Sequence, residues 1–151
     1  MEFVNSSSNY FLNKSTYINL RWIGIIGQFL TINIVAFIFK FEFNYILSNV
    51  IVIFGAISNI FLISYNRSTQ LSNKISFYYL LADILQLSLL LYLTGGILNP
   101  FSVFLIIPSV FASSNLNIKT NLILILVTIL SISVLTLYHQ ELPSPLNDYK
   151  L

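Results

Sequence analysis

The sequence predicts an all-α membrane protein, a polytopic helical bundle with about five transmembrane helices. Of its 151 residues, 56% are hydrophobic and 8% are charged, against roughly 25% charged in soluble domains. Such a chain cannot cover a water-exposed globule with polar surface. The apolar residues fall into five runs, most of them near the ~20 residues a helix needs to cross a bilayer. Within those runs polar and apolar residues do not alternate, as the short strands of a membrane barrel would require. Lipid-facing backbone must close its hydrogen bonds internally, so long unbroken runs resolve as helices.

A polar amino-terminal tail, 1–19, comes first, with Asn5, Ser6, Ser7, Ser8 and Asn9. It lacks the basic start and small-residue cleavage site of a signal peptide. The first span is predicted over 20–39, opening on Leu20-Arg21-Trp22 and closing at Lys40-Phe41-Glu42-Phe43-Asn44. An Arg–Trp pair there reads as a boundary anchor, its guanidinium reaching the headgroups. Arg21, Gly24 and Gln28 share one helical face. On that face Gly24 allows close helix approach and Gln28 offers an amide for an interhelical bond.

The second span is predicted over 45–64, followed by a polar stretch from Asn66 to Lys74. The third, 75–93, holds Asp83, the one acidic residue inside a span. A carboxylate at that depth is costly and marks a functional candidate, with a hydrogen-bonded structural role as the alternative. Tyr79 and Gln86 stand on neighbouring turns. The fourth span, 100–115, is the shortest, about 16 residues or roughly 24 Å as an α-helix. Its Pro108 frees the carbonyl of Phe104 and predicts a kink. The fifth covers 121–138, and after His139 a polar tail, 140–151, carries Pro143 and Pro145.

Between the third and fourth spans lies Thr94-Gly95-Gly96-Ile97-Leu98-Asn99-Pro100-Phe101, without a single charge. Gly95 and Gly96 suit a left-handed helix stop. Asn99 suits a cap, with Pro100 in the first turn where its missing N–H costs nothing. The same residues have the chemistry for a neutral, carbonyl-bearing, lipid-soluble ligand: an amide, approachable backbone N–H groups, and the rings of Phe101 and Tyr92. Capping alone explains every residue but Phe101.

Several functions are excluded or disfavoured. Without cysteine there is no disulfide, thiolate metal site or thiol switch. A net charge of +2 with scattered basic residues leaves no footprint for nucleic acid. The lone His139 lacks the partners of a metal site. No nucleophile–base set or phosphate-binding loop is present, so no catalytic residue is assigned and the chain is not expected to be an enzyme. Lys14, Arg21, Lys74, Lys119 and Arg67 fall on one side of the spans and Lys40 and Lys150 on the other. That asymmetry predicts a cytoplasmic amino terminus and an outer-face carboxyl tail.

Three groups of residues resemble the membrane sensor region of RegB/PrrB/ActS-type redox-sensing histidine kinases. They are Leu20-Arg21-Trp22 with Gly27-Gln28, Asp83 leading into Leu90-Leu91-Tyr92-Leu93-Thr94, and Gly95-Gly96-Ile97-Leu98-Asn99-Pro100-Phe101. The last is similar to that family's quinone-associated GGxxNPF heptad. The resemblance runs from about Asn19 to Asn147 and implies a bacterial inner-membrane location, ubiquinone as ligand and a two-component sensing role. It makes Gly95, Gly96, Asn99, Pro100 and Phe101 the candidate quinone residues, with Asp83 a weaker one outside the heptad. The family's sixth span, phosphorylated histidine, ATP-binding domain and redox cysteine are not found here. The expectation is a sensing module that ends before the sixth span, contacting lipid and quinone, with a separate kinase polypeptide and a second copy in a homodimer as its candidate partners. A small transporter or channel using Asp83 and the broken fourth helix is the alternative, as is an inactive remnant of a split kinase gene.

Overall fold

In the computed structural model, which describes residues 12–65 and 69–145, helix α1 (Lys14–Asn33) begins nearly two turns before Leu20. Polar Lys14, Ser15 and Thr16 continue the helix, and Asn13 caps it by accepting a hydrogen bond from Thr16 N at 3.2 Å. Lys14 reaches across to donate to the Ile63 carbonyl at 3.2 Å, a cation placed where the next helix ends. The amino-terminal stretch 1–11, Arg67, Lys150 and the rest of 146–151 lie outside the described residues.

A π-helical stretch, Ile34–Ile38, extends α1. Then follow α2 (Tyr45–Tyr65), α3 (Asn73–Leu93), two 3₁₀ stretches (Gly96–Leu98 and Pro100–Ile106), α4 (Ile107–Asn115) and α5 (Ile118–Leu137). The all-α architecture is as predicted. Four helical segments, Lys14–Ile38, Tyr45–Ser64, Asn73–Leu93 and Ile118–Leu137, are long and apolar enough to cross a membrane. Large apolar side chains cover their outer faces, Ile23 and Phe54 among them, as a lipid-facing surface requires. Some of the abundant Asn and Ser residues mark helix starts. Asn44, Ser72, Asn99 and Asn117 each accept from a backbone N–H of the turn they open.

Polar pairs join the helices at several levels. Asn33 and Asn49 exchange amide hydrogen bonds between α1 and α2. Ser109 and Thr128 pair at 2.8 Å between α4 and α5. Asn73 at the start of α3 bonds Thr120 and Asn117 at the start of α5, while at the far end Gln140 N donates to the Tyr92 carbonyl. Helices α3 and α5 therefore run parallel, and 100–115 must return across their whole length.

That requirement explains the form of the fourth segment. Helix α3 has 21 residues, about 31 Å of rise, which 16 residues of α-helix would not match. The seven-residue 3₁₀ stretch rises about 2.0 Å per residue, or about 14 Å in all. With the nine residues of α4 the segment reaches about 27 Å, and extended Leu116 and Asn117 supply the remainder. The expected break at Pro108 is thus a change of helix type. The Phe104 carbonyl that Pro108 cannot reach accepts from Ile107 N instead, and Pro108 stands in the first turn of α4.

Two short antiparallel pairings close the ends. Leu12–Asn13 pairs with Gln70–Leu71, and Phe41–Glu42 with Ser144–Pro145. The second brings the tail beneath the Gly95–Gly96 turn.

Candidate functional site

The turn after α3 follows the local rules closely. Gly95 and Gly96 are left-handed, at φ 107° and 58°, and Leu98 N returns to the Gly95 carbonyl. Asn99 holds the other side. Its Nδ2 donates to the carbonyl and to Oγ1 of Thr94 at 2.9 and 2.8 Å, and its Oδ1 accepts from Phe101 N at 2.9 Å.

The two glycines are not open to a ligand. A Cβ on Gly95 would overlap Leu142, and one on Gly96 would overlap the His139 ring and the Leu135 carbonyl. The expectation of approachable backbone there gives way to a turn packed beneath the tail. Gly96→Ala is expected to destabilise the protein by at least about 1–2 kcal/mol, from the left-handed backbone alone. Reversible unfolding in mixed micelles measures this; a loss below about 0.5 kcal/mol would contradict the packing described.

Asn99, Pro100 and Phe101 face the other way, into a cleft of about 740 Å³. Its walls are α1, α3 and the 100–111 segment, with Phe43, Leu142 and Pro143 at one end. The backbones of α1 and α3 do not pack closely; long polar side chains bridge the gap. Asp83 lies on the same lining as Asn99, Pro100 and Phe101, although 16 residues separate it from Asn99 in sequence. Gly95, Gly96 and Tyr92 do not line it.

Asp83 is fully engaged. Arg21 Nε donates to its Oδ1 at 2.9 Å and the Tyr17 hydroxyl to its Oδ2 at 2.5 Å. The Arg21 side chain is only 5% exposed and that of Asp83 20%. The guanidinium also donates to Asn59 and Ser58 of α2 at 3.4 and 3.3 Å, and stands over the rings of Tyr17 and Tyr79. This corrects the boundary-anchor reading of Arg21. Arg21 sits about 10 Å into α1, buried against α2 and α3, where an unpaired charge is costly and the acid partner neutralises it. Tyr17 was missed because it precedes the apolar run. The signal that finds it is Asn13 as a cap.

Gly24 also departs from expectation. Among the described residues nothing lies within 4 Å of a Cβ built on Gly24 or Gly27, so neither brings a helix close. Both line the cleft and keep it wide. Gln28 does make the expected interhelical bond, accepting at Oε1 from Gln86 Nε2 at 3.1 Å.

Over 112 residues the chain is 32% identical to the sensor histidine kinase RegB of Cereibacter sphaeroides. It is distantly similar to part of RegB. The match takes in 72% of this chain and 24% of RegB, so the chain spans about a quarter of that relative's length. Since 72% of 151 residues is about 109, the RegB-like stretch includes residues 43–109 wherever it begins. Helices α2 and α3, Asp83 and the Gly95–Phe101 turn fall inside it. No family model matches the chain, and no solved structure does.

Proposed function

We propose that this chain is a membrane-embedded sensing module that takes a quinone into the lateral cleft. The observation that carries the reading is the lining itself, which unites Asn99, Pro100 and Phe101 with Asp83 in one apolar space. A volume of about 740 Å³ lies within the ~300–1,000 Å³ usual for ligand pockets. The walls carry few polar groups, as a neutral ring with an apolar tail prefers. Bound there, a quinone would supply a redox-dependent head group whose hydrogen-bonding changes with its oxidation state.

This chain's own residues would hold that head group between α1 and the 100–111 segment. Preference for one redox form would then bias two packings of the bundle. Asp83, tied to Arg21 and Tyr17, joins α1, α2 and α3 and would couple that shift to the cytoplasmic end. Kinase output would come from a separate segment or polypeptide, as the similarity to a sensor histidine kinase suggests. With Arg21 internal, four basic residues (Lys14, Arg67, Lys74, Lys119) still face two (Lys40, Lys150), which favours a cytoplasmic amino terminus in a bacterial inner membrane. The occupied carboxylate oxygens of Asp83 count against the transport reading.

Purified protein in nanodiscs is expected to bind decylubiquinone saturably. Phe101→Ala should weaken binding about three- to tenfold through lost ring contact, with helix content unchanged. Absence of saturable binding by the unaltered chain would defeat the quinone reading. Equal affinity in Phe101→Ala would remove that wall from the site.

A further inference from the structure

Gln28 and Gln86 meet across the cleft, between the Asp83 cluster and the Asn99 turn, and both line it. Their single bond uses Gln86 Nε2 and Gln28 Oε1. The Gln28 Nε2, with two hydrogens to donate, has no hydrogen-bond partner among the described residues. At this depth water is scarce, and an unspent amide N–H group is costly to leave without an acceptor. The Asn99 amide, by contrast, is committed to its own turn at both ends.

The place of Gln86 is set from behind. The Gln86 carboxamide lies directly against Gly55 of α2, where an added Cβ would overlap it. Gly55 thereby leaves the room that Gln86 occupies, and Gln86 Nε2 donates to Gln28 Oε1, which leaves the Gln28 nitrogen unspent. Above Gln28 the wall is bare at Gly24 and Gly27, with open space over both.

We infer that Gln28 is the head-group donor of this cleft, giving an N–H to a carbonyl oxygen of the bound ligand, with Gln86 and Gly55 as positioning residues. This rests on the quinone reading above and assigns within it a contact outside the Gly95–Phe101 turn. The chemistry selects a neutral carbonyl acceptor. An apolar lipid tail alone would leave the amide unsatisfied.

The test uses the full chain in nanodiscs with decylubiquinone as probe, read by affinity and by the infrared carbonyl stretch of the bound quinone. Gln28→Leu is expected to weaken binding about three- to tenfold and to return the downshifted carbonyl band toward its frequency in lipid. Gly55→Ala, which displaces Gln86 without touching the ligand, should move the band in the same direction. Gln28→Asn, with a shorter amide, should not restore it. If the unaltered chain binds no quinone, the cleft reading fails and this inference with it. If it binds, and Gln28→Leu leaves affinity and carbonyl band unchanged, the Gln28 assignment alone is overturned.

Discussion

Arg21→Leu is expected to destabilise the folded bundle by about 3–5 kcal/mol, the usual cost of stripping one partner from a buried ion pair. The substitution leaves the partly buried Asp83 with, among the described residues, only the Tyr17 hydroxyl at Oδ2 for compensation, and removes the donors that reach Asn59 and Ser58. Three helices lose a common tie at once. Arg21→Leu with Asp83→Leu removes both charges together and should recover most of the loss, because a well-packed apolar pair is often as stable as the ion pair it replaces. Equilibrium unfolding by steric trapping or graded SDS, run on the two single variants and the double, measures the coupling. A boundary anchor would behave differently. Its loss would cost under about 1 kcal/mol and would not depend on residue 83.

Gly24→Leu should separate stability from binding. A Cβ there meets open space among the described residues, and leucine is a better helix former than glycine by under about 1 kcal/mol. The variant should be at least as stable as the parent. Its side chain would nevertheless occupy the cleft, and strain of about 1–3 kcal/mol against a bound ring corresponds to roughly five- to 150-fold weaker quinone binding. Gly27→Leu should act in the same way. Were glycine present to let helices touch, both variants would instead be destabilised, and binding would fall only as the fold did.

The parts legible in the sequence were those decided by neighbours along the chain. Continuous apolar runs marked α2 and α5 because lipid selects composition over that length. The Gly95–Gly96 turn and the Asn99 cap followed from backbone sterics and one side-chain bond. The start of α1 was misjudged because an apolar run marks the lipid-facing part of a helix, and Lys14, Ser15 and Thr16 extend it past that limit. The partnership of Tyr17 and Arg21 with Asp83 spans more than 60 residues, beyond any local pattern, although one arginine and one aspartate placed within two apolar spans are a usable hint.

Pro108 shows a different gap. Its missing N–H was legible; the length that 100–115 had to cover was not, because it depends on α3 and α5 lying parallel. The cleft belongs to the same class. Gly24 on the Arg21–Gln28 face suits a close helix contact, and only the packing of the other helices reveals that, among the described residues, none comes near it.

The most direct test of the cleft is where a quinone attaches. A photoreactive azidoquinone, irradiated with the protein in nanodiscs and mapped by peptide mass spectrometry, should label α1 between Leu20 and Thr31 and the facing stretch from Phe101 to Phe111, with excess decylubiquinone suppressing both. Labelling confined to the lipid-facing side chains of Val103, Ile106 and Val110, or insensitive to competitor, would contradict a quinone site in the cleft.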